Sequence, residues 1–586
     1  MKKVYLLLIL LVGMVLSGYA QSKSFEEIQK RQRERFAQMK SAQQAEFDAF
    51  RKECNDRYSE MMRKNWEQFN AFPAVEPKEE KPVPPVVYEE PAPQPEVKPE
   101  EKPAPQPEVK PEEKPAPQPE VKPEEKPAPQ PEVKPEEKPA PQPEVKPEEK
   151  PAPQPEVKPE EKPAPQPEVK PEEKPAPQPE VKPEEKPAPK LEDKPIAVKE
   201  DVIVIPKPAP QPQPLAPVAP KEEIPFERVS VSFYGTLVSI GFPVSDDLKL
   251  QEITEKHLAD TWTSLSDEKY DITIDNALSV RKNLALCDWA YIEMLGAVCE
   301  KKYGKTNEAV LMQGYVLSQS GYKIRLAYEG SKLYLLVASQ YNILSMSYFM
   351  IGGTKFYPLN CNTKKLHICE ASFEKEKSIS LQMRSEQKLD DEATTPRKLS
   401  SKYGVIVDVA VNKNNIDFYN DYPSAYVGDN SATRWAVYAN TPLEKSVKNA
   451  LYPTLKRSIE NLSERDAVNK LLNFVQTALK YEYDDKVWGG DRVFFATETL
   501  HYPYADCEDR SILFSRLVRD LLGLDVVLIY YPGHLATAVN FAQEVNGDYL
   551  QYKGKRYVVC DPTYIGAPVG KTMPGMNNQE AQIIAL

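Results

Sequence analysis

Between Pro91 and Lys186 the twelve-residue unit PAPQPEVKPEEK runs eight times without a mismatch, which closes 96 of the 586 residues to any hydrophobic core. Each unit holds four prolines, which withhold backbone donors and fix φ, and sets three glutamates against two lysines. Such a segment is predicted to be an extended, solvated polyproline-II rod. Fully extended, its 96 residues reach ~300 Å at about 3.1 Å per residue. One net negative charge per unit accounts for eight of the chain's net twelve. The acidity therefore belongs to the rod and describes no binding face, and nucleic acid is disfavoured as a partner. A spacer is the economical reading; the alternative is a docking ligand for a proline-reading domain.

The rod divides the chain. Lys2 and Lys3, the apolar run Val4 to Leu16 and the close Ser-Gly-Tyr-Ala match a cleavable secretory signal over residues 1–20. The mature protein is then expected in the periplasm or outside the cell, as a possible component of the cell envelope. Residues 21–75 read as one long amphipathic helix, because Phe25, Phe36, Phe47, Tyr58 and Phe69 recur every 11 residues, with Ile28, Met39, Phe50, Met61 and Phe72 three places later. Eleven residues in three turns is 3.67 per turn, so paired helices of this kind lie nearly straight or coil gently right-handed. The stripe over 25–72 suits self-association as a coiled coil, with Cys54 placed to lock a parallel pair; it equally suits docking on the chain's own globular part. Residues 76–221 are expected to be linker, with the repeat decaying through 187–220. After that the pattern is α+β, in a domain over 222–390 and a second over 391–586, divided at the polar run Ser385 to Lys402. VSVSFYG (229–235) and ISLQM (379–383) alternate as strands do.

The chemistry concentrates between Tyr504 and Gly570, in YADCEDRSILFSRLVRDLLGLDVVLIYYPGHLATAVNF and YVVCDPTYIGAPVG. Cys507 opens a helix whose apolar face is Ile512, Leu513, Leu517, Val518 and Leu521, and Gly523 stops it. Asp525 to Tyr530 reads as a strand, Pro532-Gly533 as a turn, and His534 heads a second strand. Asn546-Gly547 and Lys553-Gly554 mark hairpin turns before the strand Tyr557 to Cys560, at whose end Asp561 sits. Cys507 to His534 and His534 to Asp561 are each 27 residues apart, a separation that neighbouring hairpins close in space.

DCEDRS on a helix start, GHLATAV on a strand and CDPTY at a strand end, in that order, resemble the transglutaminase-like superfamily of papain-like folds over residues 460–575. The resemblance implies a helix packed on an antiparallel sheet, with Cys507 as nucleophile, His534 as its base and acid, and Asp561 as the orienter of the imidazole. The physical chemistry agrees, because a helix N-terminus and an imidazolium both favour a thiolate. Asp506, Glu508 and Asp509 oppose it, which leaves the ion pair with His534 as the main activator and Arg510 as a local counterweight. The backbone N–H of Cys507 is the natural oxyanion donor, with Trp488 or Tyr504 as candidates for a second oxyanion or substrate contact.

Other residues read as structural. His501 is a competing base only by proximity in sequence, Cys560 is a packing residue, Cys287 and Cys299 are helix core, and Cys361 and Cys369 form a candidate local bridge. Asp484-Asp485 reads as a solvated turn. No CxxC or HxxxH spacing occurs, so no metal or other cofactor is expected. With Gly321 set on Gly523, residues 307–338 match the catalytic segment without a gap, with Leu311, Val316, Gly321, Leu326, Tyr328, Leu333 and Val337 identical. Lys305 then stands for Cys507 and Lys332 for His534, as in a degenerate second copy. The leading expectation is an exported thiol enzyme that hydrolyses peptide or isopeptide amides through a Cys507 thioester, with a protein or peptide as substrate. The alternatives are a non-catalytic envelope or binding protein on the same fold, and a true cross-linking transglutaminase.

Overall fold

The computed structural model describes residues 44–45, 47–63, 71–74, 191–199, 202–204, 210–220, 223–344, 346–359 and 365–586. The expected signal segment 1–20, residues 21–43 and 64–70 of the expected long helix, the expected rod at 91–186 and Cys361 lie outside them. The described residues form a mixed α+β fold, and among them no helix is long and apolar enough to cross a membrane.

Two antiparallel sheets carry the architecture. In the C-terminal one the strand order is Asp548–Tyr552, Lys555–Cys560, His534–Val539, Val526–Tyr531, Gln582–Ala585. The N-terminal one runs Phe349–Ile351, Thr354–Pro358, Lys332–Ser339, Ile324–Glu329, Lys365–Ile368. Taken in chain order, the five strands of each sheet occupy the same places with the same antiparallel pairing. The central hairpins share even their register: Ile324 pairs Val337 and Glu329 pairs Lys332, as Val526 pairs Val539 and Tyr531 pairs His534. In each case a helix, Asn307–Gln319 or Cys507–Leu522, precedes the hairpin and closes on a glycine of positive φ, Gly321 or Gly523. The hydrophobic core is continuous from one half to the other, from Trp262 and Tyr315 through Phe418 and Phe495 to Phe514 and Leu535.

The turns follow the sequence closely. Pro532-Gly533 joins the His534 hairpin with Gly533 at φ +81°, and Lys553-Gly554 joins the next with both residues at positive φ. Asn546-Gly547 is not the expected hairpin turn. A Cβ on Gly547 would lie 2.3 Å from Gly570 Cα, so the glycine serves a close passage of two backbones. ISLQM is not a strand: Ile379 makes a single bridge to Ser339, although Ile379, Leu381 and Met383 are buried as the alternation requires.

The linker is shorter than expected. Lys194–Pro195 pairs in parallel with Asp548–Tyr552 at one edge of the C-terminal sheet, and Ile203–Val204 pairs with Gln582–Ala585 at the other. Between them Ile196, Val198 and Val202 cover the sheet face away from the Cys507 helix, against Val527, Ile529, Tyr531 and Leu550. Residues 191–199 and 202–204 thus lie across the sheet from one edge to the other. Residues 210–220 lie along the N-terminal half, with Ala216 buried and Leu215 and Val218 against the core.

Residues 47–63 are helical, and the helix docks on the N-terminal half. Its buried face is Arg51, Asn55, Tyr58, Ser59 and Met62, so of the expected apolar rows Tyr58 is buried and Met61 half-buried against the core while Phe50 is exposed. Ala71–Pro73, expected to continue the helix, is instead a strand paired with Lys365–Ile368. Arg51 meets Asp271 at 2.6 Å, Asn55 bonds Gln319 and the Trp262 indole at 3.2 Å each, and Tyr58 stacks on Phe373 at 4.3 Å. Arg51 and Asn55 sit in this seam because each finds a buried partner, whereas the Ser59 and Tyr58 hydroxyls have none. Cys54 is half-buried on this seam.

Candidate active site

The Cys507 helix begins with its own cap. Asp506 accepts from the Asp509 amide at 3.5 Å while Asp509 accepts from the Asp506 amide at 3.3 Å, a reciprocal box that fixes Cys507 as the first helical residue. Its amide is one of those with no acceptor inside the helix, available to a developing oxyanion. One turn on, the Ser511 hydroxyl donates to Leu535 O at 2.9 Å. The Leu535 amide also faces the Cys507 sulfur and favours its charged form. Both contacts fall on the residue after His534, and the Ser511 bond ties the start of the helix to the histidine strand.

His534 Nε2 lies 2.9 Å from Asp561 Oδ2, and both side chains are buried. Asp561 is held as tightly from behind: its Oδ1 accepts from the amides of Thr563 (2.9 Å) and Tyr564 (3.2 Å). Gln476, fully buried on the helix Glu464–Ala478, donates to the carbonyls of Asp561, Tyr564 and Ala567 at 3.0, 2.8 and 3.1 Å and accepts from Gly566 N at 3.2 Å. With Nε2 committed to Asp561, Nδ1 is the ring nitrogen outside that pair, and among the described contacts none joins it to the Cys507 sulfur.

The sulfur itself donates to Glu508 Oε2 at 3.0 Å. Burial first, then Glu508 and Asp506, push the Cys507 thiol well above its ordinary value. The acidic residues gather further around it, with Asp484, Asp506 and Asp509 bringing ligand atoms within 4.8 Å of one another, as do Asp484, Asp491 and Glu508. Burial and this mutual repulsion raise Asp506 and Asp509 strongly and lift Asp484 to about 7. Asp484 is buried and accepts from the Arg492 amide at 2.7 Å, so it is no solvated turn. Arg434 reaches in from the helix Thr433–Asn440, meeting Asp491 at 2.6 Å and facing Glu508.

Arg510 is not turned to the sulfur. It donates to the carbonyls of Ala505, Gln476 and Leu479 at 3.3, 3.3 and 3.0 Å, closing the helix that carries Gln476, and burial lowers it to about 10. Trp488 and Tyr504 are each more than a third exposed. The Trp488 ring faces Arg492 at 4.4 Å and Tyr502 at 4.9 Å, and Tyr504 bridges Lys480. Among the described contacts neither reaches Cys507. The aromatic neighbour is instead Tyr481, half-buried beneath Arg510 at 5.2 Å, whose phenol is raised by burial and then by Cys507. Nothing in the sequence marks Tyr481 or Gln476, which lie 26 and 31 residues before the cysteine. His501 packs edge-on to Tyr502, away from the thiol, and burial lowers it. Cys560 is fully buried packing, as are Cys287, Cys299 and Cys369.

In the N-terminal sheet the matching positions hold other chemistry. Lys305 precedes the helix cap Thr306, and Lys332 is exposed over the Tyr334 ring at 5.0 Å. Continuing the register, with Tyr357 on Val337 as Val558 is on Val539, assigns position 360, an asparagine outside the described residues, to the place of Asp561. Comparison of the chain with protein-family models, with curated proteins and with solved structures finds no match.

Proposed function

We propose that the chain is an exported cysteine-dependent acyl-transfer enzyme of transglutaminase-like, papain-like build, whose residues 391–586 hydrolyse peptide or isopeptide amides. The observation that carries this reading is the His534–Asp561 pair at 2.9 Å, on a strand whose Leu535 carbonyl accepts from Ser511 and so ties it to the helix that Cys507 opens. The Cys507 proton passes to His534 Nδ1 as sulfur bonds to the amide carbonyl carbon. The Cys507 amide meets the oxyanion, and collapse breaks the C–N bond while the imidazolium returns its proton to the leaving amine. Water, deprotonated by His534, then adds to the thioester and releases the acid and the thiol. An amine acceptor in place of water gives cross-linking by the same steps. Asp561 keeps the ring in the tautomer and orientation this needs.

The topologically equivalent N-terminal sheet is, on this proposal, a duplicate that has lost its nucleophile and base and positions substrate. A second reading, a non-catalytic binding protein, is favoured by the Glu508 contact, which holds the sulfur as a thiol. Incubation with a peptide thioester or activated ester followed by intact-mass analysis separates the two. The enzyme forms a Cys507 acyl adduct that turns over, that His534→Ala suppresses by roughly a hundredfold or more, and that Cys507→Ala abolishes. A wild-type adduct formed no faster than on the His534→Ala variant would sink the enzymatic reading.

A further inference from the structure

A cavity of about 560 Å³ lies where residues 210–214 cross the N-terminal half, between Leu278–Asp288 and Ser380–Gln387. The crossing segment is bound as a peptide ligand would be. Arg281 donates to Pro212 O at 3.2 Å, and Gln211 donates to Leu286 O at 3.2 Å. A Cβ on Gly321 would stand 2.1 Å from Gln213 O, so the groove floor is cut to admit this backbone. Residues 208–213 read PAPQPQ, and each repeat of the rod opens PAPQPE. The two share the five residues that supply both of those hydrogen bonds and differ at the sixth, where the crossing segment has Gln213 and the repeat a glutamate.

That sixth position lines the cavity together with Arg281, Lys282 and Arg384, against the single carboxylate of Asp288. Asp288 is already engaged by Arg281, Tyr322 and the Ser380 amide. Arg281 and Gln382 are more than nine-tenths buried, yet Arg281 Nε and Gln382 Oε1 have no partner. Lys282 and Arg384 are exposed at the mouth. Gln213 answers none of this excess positive charge: its amide turns back to Gln211 O at 3.2 Å. A glutamate there brings the missing anion to a guanidinium with an unused donor.

We propose that this groove is a binding site for acidic proline-rich peptide, and that its occupant is a PAPQPE unit from the rod of a second copy of this chain, exchanging with residues 208–213. Polyproline-II ligands lose little entropy on docking, and eight units on one rod multiply the chance of capture. The proposal does not depend on the chemistry of Cys507. To test it, a photoreactive benzophenone side chain replaces Lys282 in the full-length chain, and isotopically light and heavy proteins are mixed before irradiation. Heavy-to-light adducts joining position 282 to repeat fragments are expected. Arg384→Glu should reduce them by about tenfold, and Gln213→Glu, which improves the competing segment, should reduce them as well. Adducts only with residues 208–217, adducts with repeats only within one isotope, or yields indifferent to Arg384→Glu would each overturn it.

Discussion

On the proposed mechanism, the carboxylate 3.0 Å from the Cys507 sulfur and the histidine tied to Asp561 act on the same proton in opposite senses. The carboxylate favours the thiol; an imidazolium favours the thiolate. Glu508→Gln removes the opposing charge, so the apparent thiol pKa should fall and iodoacetamide labelling at pH 7 should quicken roughly tenfold. An unchanged or slower rate would show that Glu508 does not restrain the sulfur. Asp484 gives a second test at this scale. It holds its proton up to about 7, with burial the first cause, whereas in the unfolded chain it ionises near ~4. Between those values the folded state binds a proton that the unfolded state has lost. Its contribution to stability is therefore full below about pH 4 and declines as pH rises to about 7. Asp484→Asn should flatten that decline, read as urea midpoints at pH 5 and pH 7.5; an unaltered slope refutes the assignment.

The Cys507 helix and the His534 hairpin were legible in the sequence because their signals are local: an apolar period of 3.6, a glycine stop, and two-residue turns with glycine in the second place. What holds them together was not. Gln476 reaches the Asp561 loop from 85 residues upstream and looks like any helical glutamine. Gln476→Ala strands three carbonyls and an amide, and should cost about 2–4 kcal/mol in denaturant unfolding while slowing Cys507 acylation. Loss of stability with full acylation would mean that the loop keeps Asp561 in place unaided. The helix 47–63 was misread for a related reason. Of its expected apolar rows Tyr58 and Met61 face the fold, but the face that docks also carries Arg51 and Asn55, whose buried partners Asp271 and Gln319 are more than 200 residues away.

At the scale of the molecule, the duplicated sheet order was visible as seven identities in a 32-residue match, yet a helix and hairpin alone could produce those by period. Five strands in the same order and register are a far stronger coincidence. Removing residues 21–75 should lower stability by at least about 4 kcal/mol, since Tyr58 and Met62 leave the core and Asp271 loses Arg51. Excising 91–186 should leave both the unfolding midpoint and Cys507 labelling unchanged, because a proline- and charge-rich repeat of this composition is closed to any hydrophobic core. The crossing of the C-terminal sheet by residues 191–199 and 202–204 adds a mechanical dimension. Chain arriving from the rod enters the fold through strands of two residues each, laid on both outer edges of the sheet that bears His534. Tension along the rod is therefore delivered first to Lys194–Pro195 beside Asp548–Tyr552, a seam of few bonds that should peel at low force and bare a sheet edge before the rest of the fold yields. Single-molecule pulling from residue 91 against the C-terminus should show that early, small extension, and deleting 191–204 should erase it.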